Sequence, residues 1–200
     1  MKCSKEEEGS ARPLLGRVFL SLRSTMSPPG LRAHLIFWLI AGGGVALDLW
    51  SKKAVFEWLE GQPDLSVSIV EGFLRLVMVL NDGGAFGIAS GQRFTLIAAS
   101  AVMLIAVLVY FVLYGGNERR LMHVVLGLFA AGIYGNLHDR LFNEGLVRDF
   151  IDVVYWQGRH WPAFNVADSL LCIAVGLVVI SLITGGITEK SCRRHAQQHK

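Results

Sequence analysis

Three aspartates stand beside stretches apolar enough to enter a membrane. Asp139 lies in Asn136-Leu137-His138-Asp139-Arg140, Asp149 in Val147-Arg148-Asp149-Phe150, and Asp168 in Phe164-Asn165-Val166-Ala167-Asp168. Carboxylates are costly at such depths, which makes them candidates for chemistry. Two carboxylates held together where water is scarce do not both ionise easily, so one keeps its proton while the other stays charged. Such a pair is an acid beside a base. It can activate a water for attack on an amide carbonyl and then protonate the leaving nitrogen, without a metal or a nucleophilic side chain. The pair titrates as a unit, so neither residue has a fixed protonation state at this point.

Rival chemistries are poorly supplied. A serine mechanism needs a histidine and a nucleophile together, yet His138 and His160 lie near no motif-like serine except Ser169, which should sit inside a helix. A zinc site from His138, Asp139 and His160 matches none of the usual helical spacings. Gly83, Gly84 and Gly87 fit neither a P-loop nor a dinucleotide fingerprint. A transporter using Asp48, Asp139 and Asp168 as an ion path is the reading from another class. Against it, these carboxylates gather at one face, whereas a path needs them spread through the membrane depth.

The elements that must position these residues are membrane spans. The chain has 200 residues, 52% of them hydrophobic, which is too apolar for an ordinary soluble enzyme of this size. Phe94 to Asn117 and Ser169 to Thr188 carry no Asp, Glu, Lys, Arg or His. Each is long enough, at about 1.5 Å per residue, to cross a hydrocarbon core of about 30 Å. Leu121 to Leu137 is interrupted only by His123, and its small residues Ala130, Ala131, Gly132 and Gly135 would let a neighbouring helix approach. Ala33 to Leu47 spans only if the helix runs on through Asp48, Leu49 and Trp50.

The spans are therefore placed at about 33–51, 94–114, 121–137 and 168–187, within a single membrane domain of residues 33–187. Residues 1–32 read as a largely disordered extension with an amphipathic patch at Leu14 to Leu22, and residues 188–200 as a tail. Four spans put both termini on one side. That side carries twelve Lys and Arg against seven on the other, so the termini are expected in the cytoplasm and the long loops outside. The net charge of +3 comes without a basic stripe, so no nucleic-acid partner is expected. Cys3, Cys172 and Cys192 imply no disulfide framework.

In the first external loop, residues 56–93, Leu65 to Ile69 alternates as a strand and Phe73 to Leu80 is a second β-type run, predicting a small sheet on the membrane face. The second run leads into Asn81-Asp82-Gly83-Gly84-Ala85-Phe86-Gly87, where glycines permit a tight turn or close approach to a ligand. Residues 141–161 read as a second external loop carrying Asp149. Trp50, Trp58, Tyr155, Trp156 and Trp161 are placed like an interfacial belt. Asp48 and Lys52, at i and i+4, share a helix face, and both a structural ion pair and a role in the site fit Asp48. Asp139 with Arg140 suits pairing at a helix end, and Asp168 suits the first turn of the last helix.

Five ordered blocks carry a resemblance: Asp48 to Val55 (DLWSKKAV), Asn81 to Phe86 (NDGGAF), Gly135 to Arg140 (GNLHDR), Val147 to Phe150 (VRDF) and Phe164 to Asp168 (FNVAD). Together, on a four-span layout, they resemble the lipoprotein signal peptidases (signal peptidase II), bacterial inner-membrane aspartic endopeptidases. The resemblance implies an all-α polytopic membrane protein, four transmembrane helices with a small extracytoplasmic β platform and an extracytoplasmic loop or helix. Its implied activity is removal of a prolipoprotein signal peptide on the N-terminal side of a diacylglyceryl-modified cysteine. The catalytic dyad carries over onto Asp149 and Asp168. Asp48, Lys52, Asn81, Gly83, Asn136, Asp139, Arg140, Asn165 and Ala167 would bind substrate or support the site. No metal or cofactor is implied, and the expected partners are lipid-modified prolipoproteins and membrane lipids around a monomer. Departures from the family pattern are the bulky Ile133 and Tyr134 before the Gly-Asn block, Ser51 where threonine is frequent, and the long N-terminal extension.

Overall fold

The computed structural model describes residues 26–84, 90–156 and 158–184. The N-terminal patch at Leu14 to Leu22, the tail 188–200, Cys3, Cys192 and the stretch Ala85 to Gly87 lie outside the described residues. Four helices form the body: α1 (Leu31–Leu59), α2 (Arg93–Tyr114), α3 (Arg120–Phe142) and α4 (Val166–Ile183). Each is long and apolar enough to cross a membrane. α1, at 29 residues, runs about 43 Å, so it outreaches a hydrocarbon core and projects its Lys53–Glu57 end. It continues past the expected end near residue 51 because no glycine or proline intervenes before Gly61 and Pro63.

α3 is the central helix. Its most apolar window is 61% buried, against 22%, 11% and 17% for those of α1, α2 and α4, which leave broad aliphatic faces open. In water such faces would be untenable, whereas in lipid they are ordinary. Small residues set how closely the helices meet. A methyl group at Gly132 would lie 2.6 Å from the Ala167 carbonyl oxygen and 2.6 Å from Leu171, so the start of α4 rests directly on the α3 backbone. At the far end of the bundle Phe37 of α1 stacks on Phe111 of α2, with ring centroids 4.1 Å apart and planes at 12°, beside Ala33, Ala41, Leu126 and Ala130. There Ser27 N–H donates to Leu113 O (2.9 Å) and Gly116 N–H to Ser27 O (2.8 Å), tying the chain before α1 to the α2–α3 turn.

The opposite end carries an antiparallel sheet in the order β1 (Ser66–Val70), β2 (Leu74–Asn81), β3 (Val147–Trp156), β4 (Arg159–His160). The two expected strands are present. Residues 141–161, expected as a loop, begin with the last two residues of α3 and then supply β3 and β4, and among the described residues after Phe142 the stretch holds no further helix. The charged triplet Arg148, Asp149 and Asp152 hides the strand pattern in the sequence, yet Val147, Asp149, Phe150 and Asp152 are all buried. A turn through Glu144 (φ 53°) and Gly145 (φ 91°) reverses the chain from α3 into β3. Trp50, Trp58, Tyr155, Trp156 and Trp161 are exposed, as a belt at a membrane surface requires.

The α3–α4 contact makes a stability prediction. Gly132→Ala is expected to cost about 2 kcal/mol or more and to lower the Tm in detergent. Gly42→Ala on α1, which meets no atom within 4 Å, should leave the Tm unchanged or slightly raised. Equal Tm values for the two variants would show that this approach is not close-packed.

Candidate active site

Asp149 reaches the bundle because β3 is hydrogen-bonded on both sides. Val79 of β2 pairs with Asp149 in register, and Asn81 with Val147. On the other side Phe150 and Ile151 N–H donate to Phe164 O (3.1 and 2.8 Å), and Phe164 N–H donates to Ile151 O (3.0 Å). That short bridge places Asn165, the cap of α4, against Asp149, and it brings together two aspartates nineteen positions apart.

Asn165 is fully buried and works in two directions. Its Oδ1 accepts from Asp168 N–H (3.0 Å), while the Asp168 carboxylate accepts from Asn165 N–H (3.2 Å), a reciprocal capping box. Its Nδ2 then faces the site, donating to Asp149 Oδ1 (2.6 Å) and to Asn136 Oδ1 (3.0 Å). Asn136 on α3 donates from Nδ2 to Asp168 Oδ1 at 2.7 Å. Asn81 accepts from Gly83 N–H (2.9 Å) and donates to Asp149 Oδ2 (2.9 Å). In each of these amides the oxygen is held by a group that only donates, so each NH2 must point to a carboxylate or a neighbouring amide oxygen.

For Asn136 one such donor is Lys52. Its ammonium lies 3.1 Å from Asn136 Oδ1, 2.8 Å from Asp48 Oδ2 and 3.4 Å from Asp139 Oδ2, with Lys52, Asp48 and Asp139 fully buried. Asp48 Oδ1 in turn accepts from Ala167 N–H at 2.8 Å, one residue before Asp168. A methyl group at Gly135 would collide with Asp48 Oδ2, so the glycine leaves room for the ion pair. Of the two readings left open for Asp48, the ion pair with Lys52 is present, and through Ala167 it also holds the start of α4.

Asp139 does not pair with Arg140. It accepts from Arg148 N–H (3.0 Å) and Arg148 Nη2 (2.6 Å), because side chains one apart on a helix point in different directions and the turn after α3 swings Arg148 back. Arg140 instead donates to Gly83 O at 2.7 Å, pinning the turn that carries Asn81. Arg148 was not singled out in the sequence. The turn residues Asn143, Glu144 and Gly145, which return it to Asp139, were the available signal. Ile133 is buried in the bundle and Tyr134 is partly exposed beside His138, at a centroid distance of 6.2 Å; neither lines the site.

Asp149 and Asp168 both face a cavity of about 530 Å³, together with Asn81, Gly84, Asn136 and Arg140. Asp149 is only 1% exposed, and burial pushes its carboxyl up to about 6, with the charge of Asp168 pushing the same way. Hydrogen bonds from Asn81 and Asn165 and the charge of Lys52 oppose that shift. The residues of the zinc alternative are not assembled. His160 Nδ1 lies 2.8 Å from Asp152 on the sheet, and Asp139 is taken by Arg148 and Lys52. Among the described residues no cluster of three His, Cys, Asp or Glu is placed to hold a metal.

Removing the buried cation exposes the cost of the cluster. Lys52→Met leaves Asp48 without its counter-charge and is expected to destabilise by about 3–5 kcal/mol, read as a lower Tm in detergent. The double variant Asp48→Asn/Lys52→Met should recover part of that loss. A Lys52→Met protein as stable as the wild type would show that the ion pair does not hold the bundle.

Residues 40–184 match the family model described as signal peptidase (SPase) II. A lipoprotein signal peptidase of Rhodopirellula baltica is 35% identical over 167 residues, covering 76% of this chain and 73% of the relative. One of Geobacter metallireducens is 36% identical over 153 residues, covering 75% and 91%. Two solved structures, each described as a bacterial membrane enzyme determined by the in meso method, superpose with TM-scores of 0.67 and 0.62 at 30% and 31% identity. They cover 82% and 78% of this chain and 96% and 95% of their own. With four membrane-spanning helices, a small antiparallel sheet and a match over most of its length, the chain belongs to the signal peptidase II family of membrane peptidases.

Proposed function

We propose that this protein is a membrane aspartic endopeptidase that removes the signal peptide from diacylglyceryl-modified prolipoproteins, cutting on the N-terminal side of the lipidated cysteine. The observation that carries this reading is the convergence of Asp149 and Asp168 on one cavity, each carboxylate held by an amide whose orientation is fixed from behind. Asp168, in the first turn of α4 and hydrogen-bonded to Asn165 N–H and Asn136, serves as the base. It takes a proton from water as the oxygen attacks the scissile carbonyl, and Asp149 gives its proton to the carbonyl oxygen. Asp168 then returns its proton to the leaving nitrogen as the C–N bond breaks, and Asp149 recovers a proton as the carbonyl re-forms.

The substrate follows from depth. A cysteine carrying a diacylglyceryl group is tethered in the bilayer, so its protease must keep its carboxylates at the acyl-chain boundary. The sheet end, with its aromatic belt, is that boundary. By the excess of positive charge near the termini it faces outward from the cytoplasmic membrane, with both termini inside. The reading includes a monomer working without a metal or cofactor. Asp48, Lys52, Asn81, Gly83, Asn136, Asp139, Arg140, Asn165 and Ala167 serve it as supports, with Gly83 and Ala167 leaving space beside the dyad.

Purified protein in detergent with EDTA should cut a diacylglyceryl-modified prolipoprotein before its lipidated cysteine. Asp149→Asn and Asp168→Asn should each lose on the order of 10³-fold or more while remaining folded and membrane-inserted. Activity retained in either variant, or no cleavage by folded wild type, would overturn the reading.

The pH profile gives an independent check. Activity requires one proton on the pair, so kcat/KM should fall as pH rises through the raised value at Asp149, near 6. In the substrate complex displaced water should move the alkaline limb of kcat higher still. An alkaline limb at about 4, the ordinary carboxylate range, would contradict the assignment of the acid to Asp149.

A further inference from the structure

A second cavity lies between α3 and α4 at the end of the bundle away from the sheet. Near the sheet the two helices touch at Gly132 and Ala167, whereas at this end about 260 Å³ lies open between Leu121, Met122 and Val125 of α3 and Leu177 and Val178 of α4. That is less than the roughly 300–1,000 Å³ of a pocket that encloses a whole ligand, so it suits one part of a larger molecule whose remainder lies in the bilayer.

The polar groups of this cavity await an anion. Arg119 lines it half-buried, and among the described residues its guanidinium has no acidic partner. Neighbouring Glu118 is taken, since its Oε1 accepts from the Tyr110 hydroxyl. Arg119 also precedes the first residue of α3, where no side chain caps the helix and no acid stands in the first turn, so backbone donors are left open beside the guanidinium. From the facing helix comes Ser181, two residues before the end of α4. It lines the cavity at 5% exposure, and among the described residues its hydroxyl has no hydrogen-bond partner. Both helices are long enough to span the membrane, so this end stands at headgroup level, with exposed Arg32 and Arg120 adding positive charge there.

We infer that this cavity binds an anionic phospholipid of the leaflet at this end. The phosphate sits on Arg119 and the first backbone N–H groups of α3, a glycerol-ester oxygen accepts from the Ser181 hydroxyl, and one acyl chain lies along Val125, Leu177 and Val178. A basic pocket between membrane helices matches an anionic headgroup in charge, and an apolar slot behind it matches the chain. The site is separate from the cavity of Asp149 and Asp168, at the opposite end of α4, and its ligand ties the start of α3 to the end of α4.

The test uses the full chain in detergent, stripped of lipid, with added dioleoyl phosphatidylglycerol or dioleoyl phosphatidylcholine. Native mass spectrometry should show one phosphatidylglycerol retained per chain, and saturating phosphatidylglycerol should raise the Tm by about 3–5 °C, phosphatidylcholine by much less. Arg119→Gln should weaken phosphatidylglycerol binding about tenfold. Ser181→Trp, which fills the slot, should abolish it, and Ser181→Ala should weaken it about threefold should the tryptophan variant fail to fold. Lys53→Gln, an exposed cation at the sheet end, should change nothing. Phosphatidylglycerol with a diazirine in one acyl chain should label α3 within Leu121 to Val125 and α4 within Leu177 to Ser181.

Equal Tm rises with the two lipids, or wild-type binding by Arg119→Gln, would overturn the site, because hydrocarbon alone would then be recognised. So would labelling that misses these two segments in the folded chain. A Tm rise of equal size with inorganic phosphate would also overturn it, by making Arg119 an anion site without a lipid. None of these readouts involves cleavage, so their failure leaves the proposed peptidase activity standing.

Discussion

A lysine with no access to water, held between two aspartates at the sheet end of the helix bundle, is the constraint on which the rest of this structure depends. Lys52, Asp48 and Asp139 are each fully buried, and no one of them could stay charged there alone. With Arg148 on Asp139 the group holds two cations and two anions, so it adds no net charge beside Asp149 and Asp168. Its value lies in position. α1 supplies Lys52 and Asp48, α3 supplies Asp139, β3 supplies Arg148, and Ala167 N–H brings in α4, so one cluster fixes the relative placement of four elements. Apolar packing between lipid-exposed helices has no comparable directionality, because hydrocarbon outside is as good a neighbour as hydrocarbon inside.

The same lysine orients an amide beside the two aspartates. Asn136 accepts from Lys52 and must therefore donate to Asp168. Asn165 accepts from the α4 backbone and must donate to Asp149, and Asn81 accepts from Gly83 and must do the same. Amide side chains are ambiguous hydrogen-bonding groups; here every ambiguity is removed by a donor behind it. Donors alone would favour ionising both aspartates. Burial of Asp149 opposes this on the β3 side, whereas Asp168 keeps the benefit of a helix start. Two residues of the same type thus acquire different surroundings from the elements that carry them.

Much of this was legible in the sequence because a bilayer is a demanding solvent. The four spans follow from uninterrupted apolar runs, and carboxylates beside such runs are rarely incidental. The motif blocks also lie together in space: Asp48 with Lys52, Asn136 and Asn165 beside the aspartates, Gly83 after Asn81. What failed to show was long-range pairing. Asp152 breaks the alternation of β3, and the groups that answer it, His160 at 2.8 Å and Arg75 at 3.9 Å, come from strands on either side. Arg140 looked like a partner for Asp139, whereas Arg148, which pairs with it, gave no such sign. Adjacency along the chain misleads here, since consecutive side chains on a helix face different ways.

α4 joins the helix bundle to the cavity of the two aspartates. Its first turn needs an acceptor for orphan backbone donors, and Asn165 with Asp168 supplies one through the capping box. The carboxylate that terminates the helix is therefore also the one that meets the cavity, and its height in the membrane is set by where hydrogen-bonded helix begins. Below it the residues on that face must be apolar, because the helix is entering hydrocarbon. A carboxylate at the top and a hydrocarbon-lined wall one turn beneath are thus not separate acquisitions. Both follow from starting a membrane helix with a capping box beside a strand.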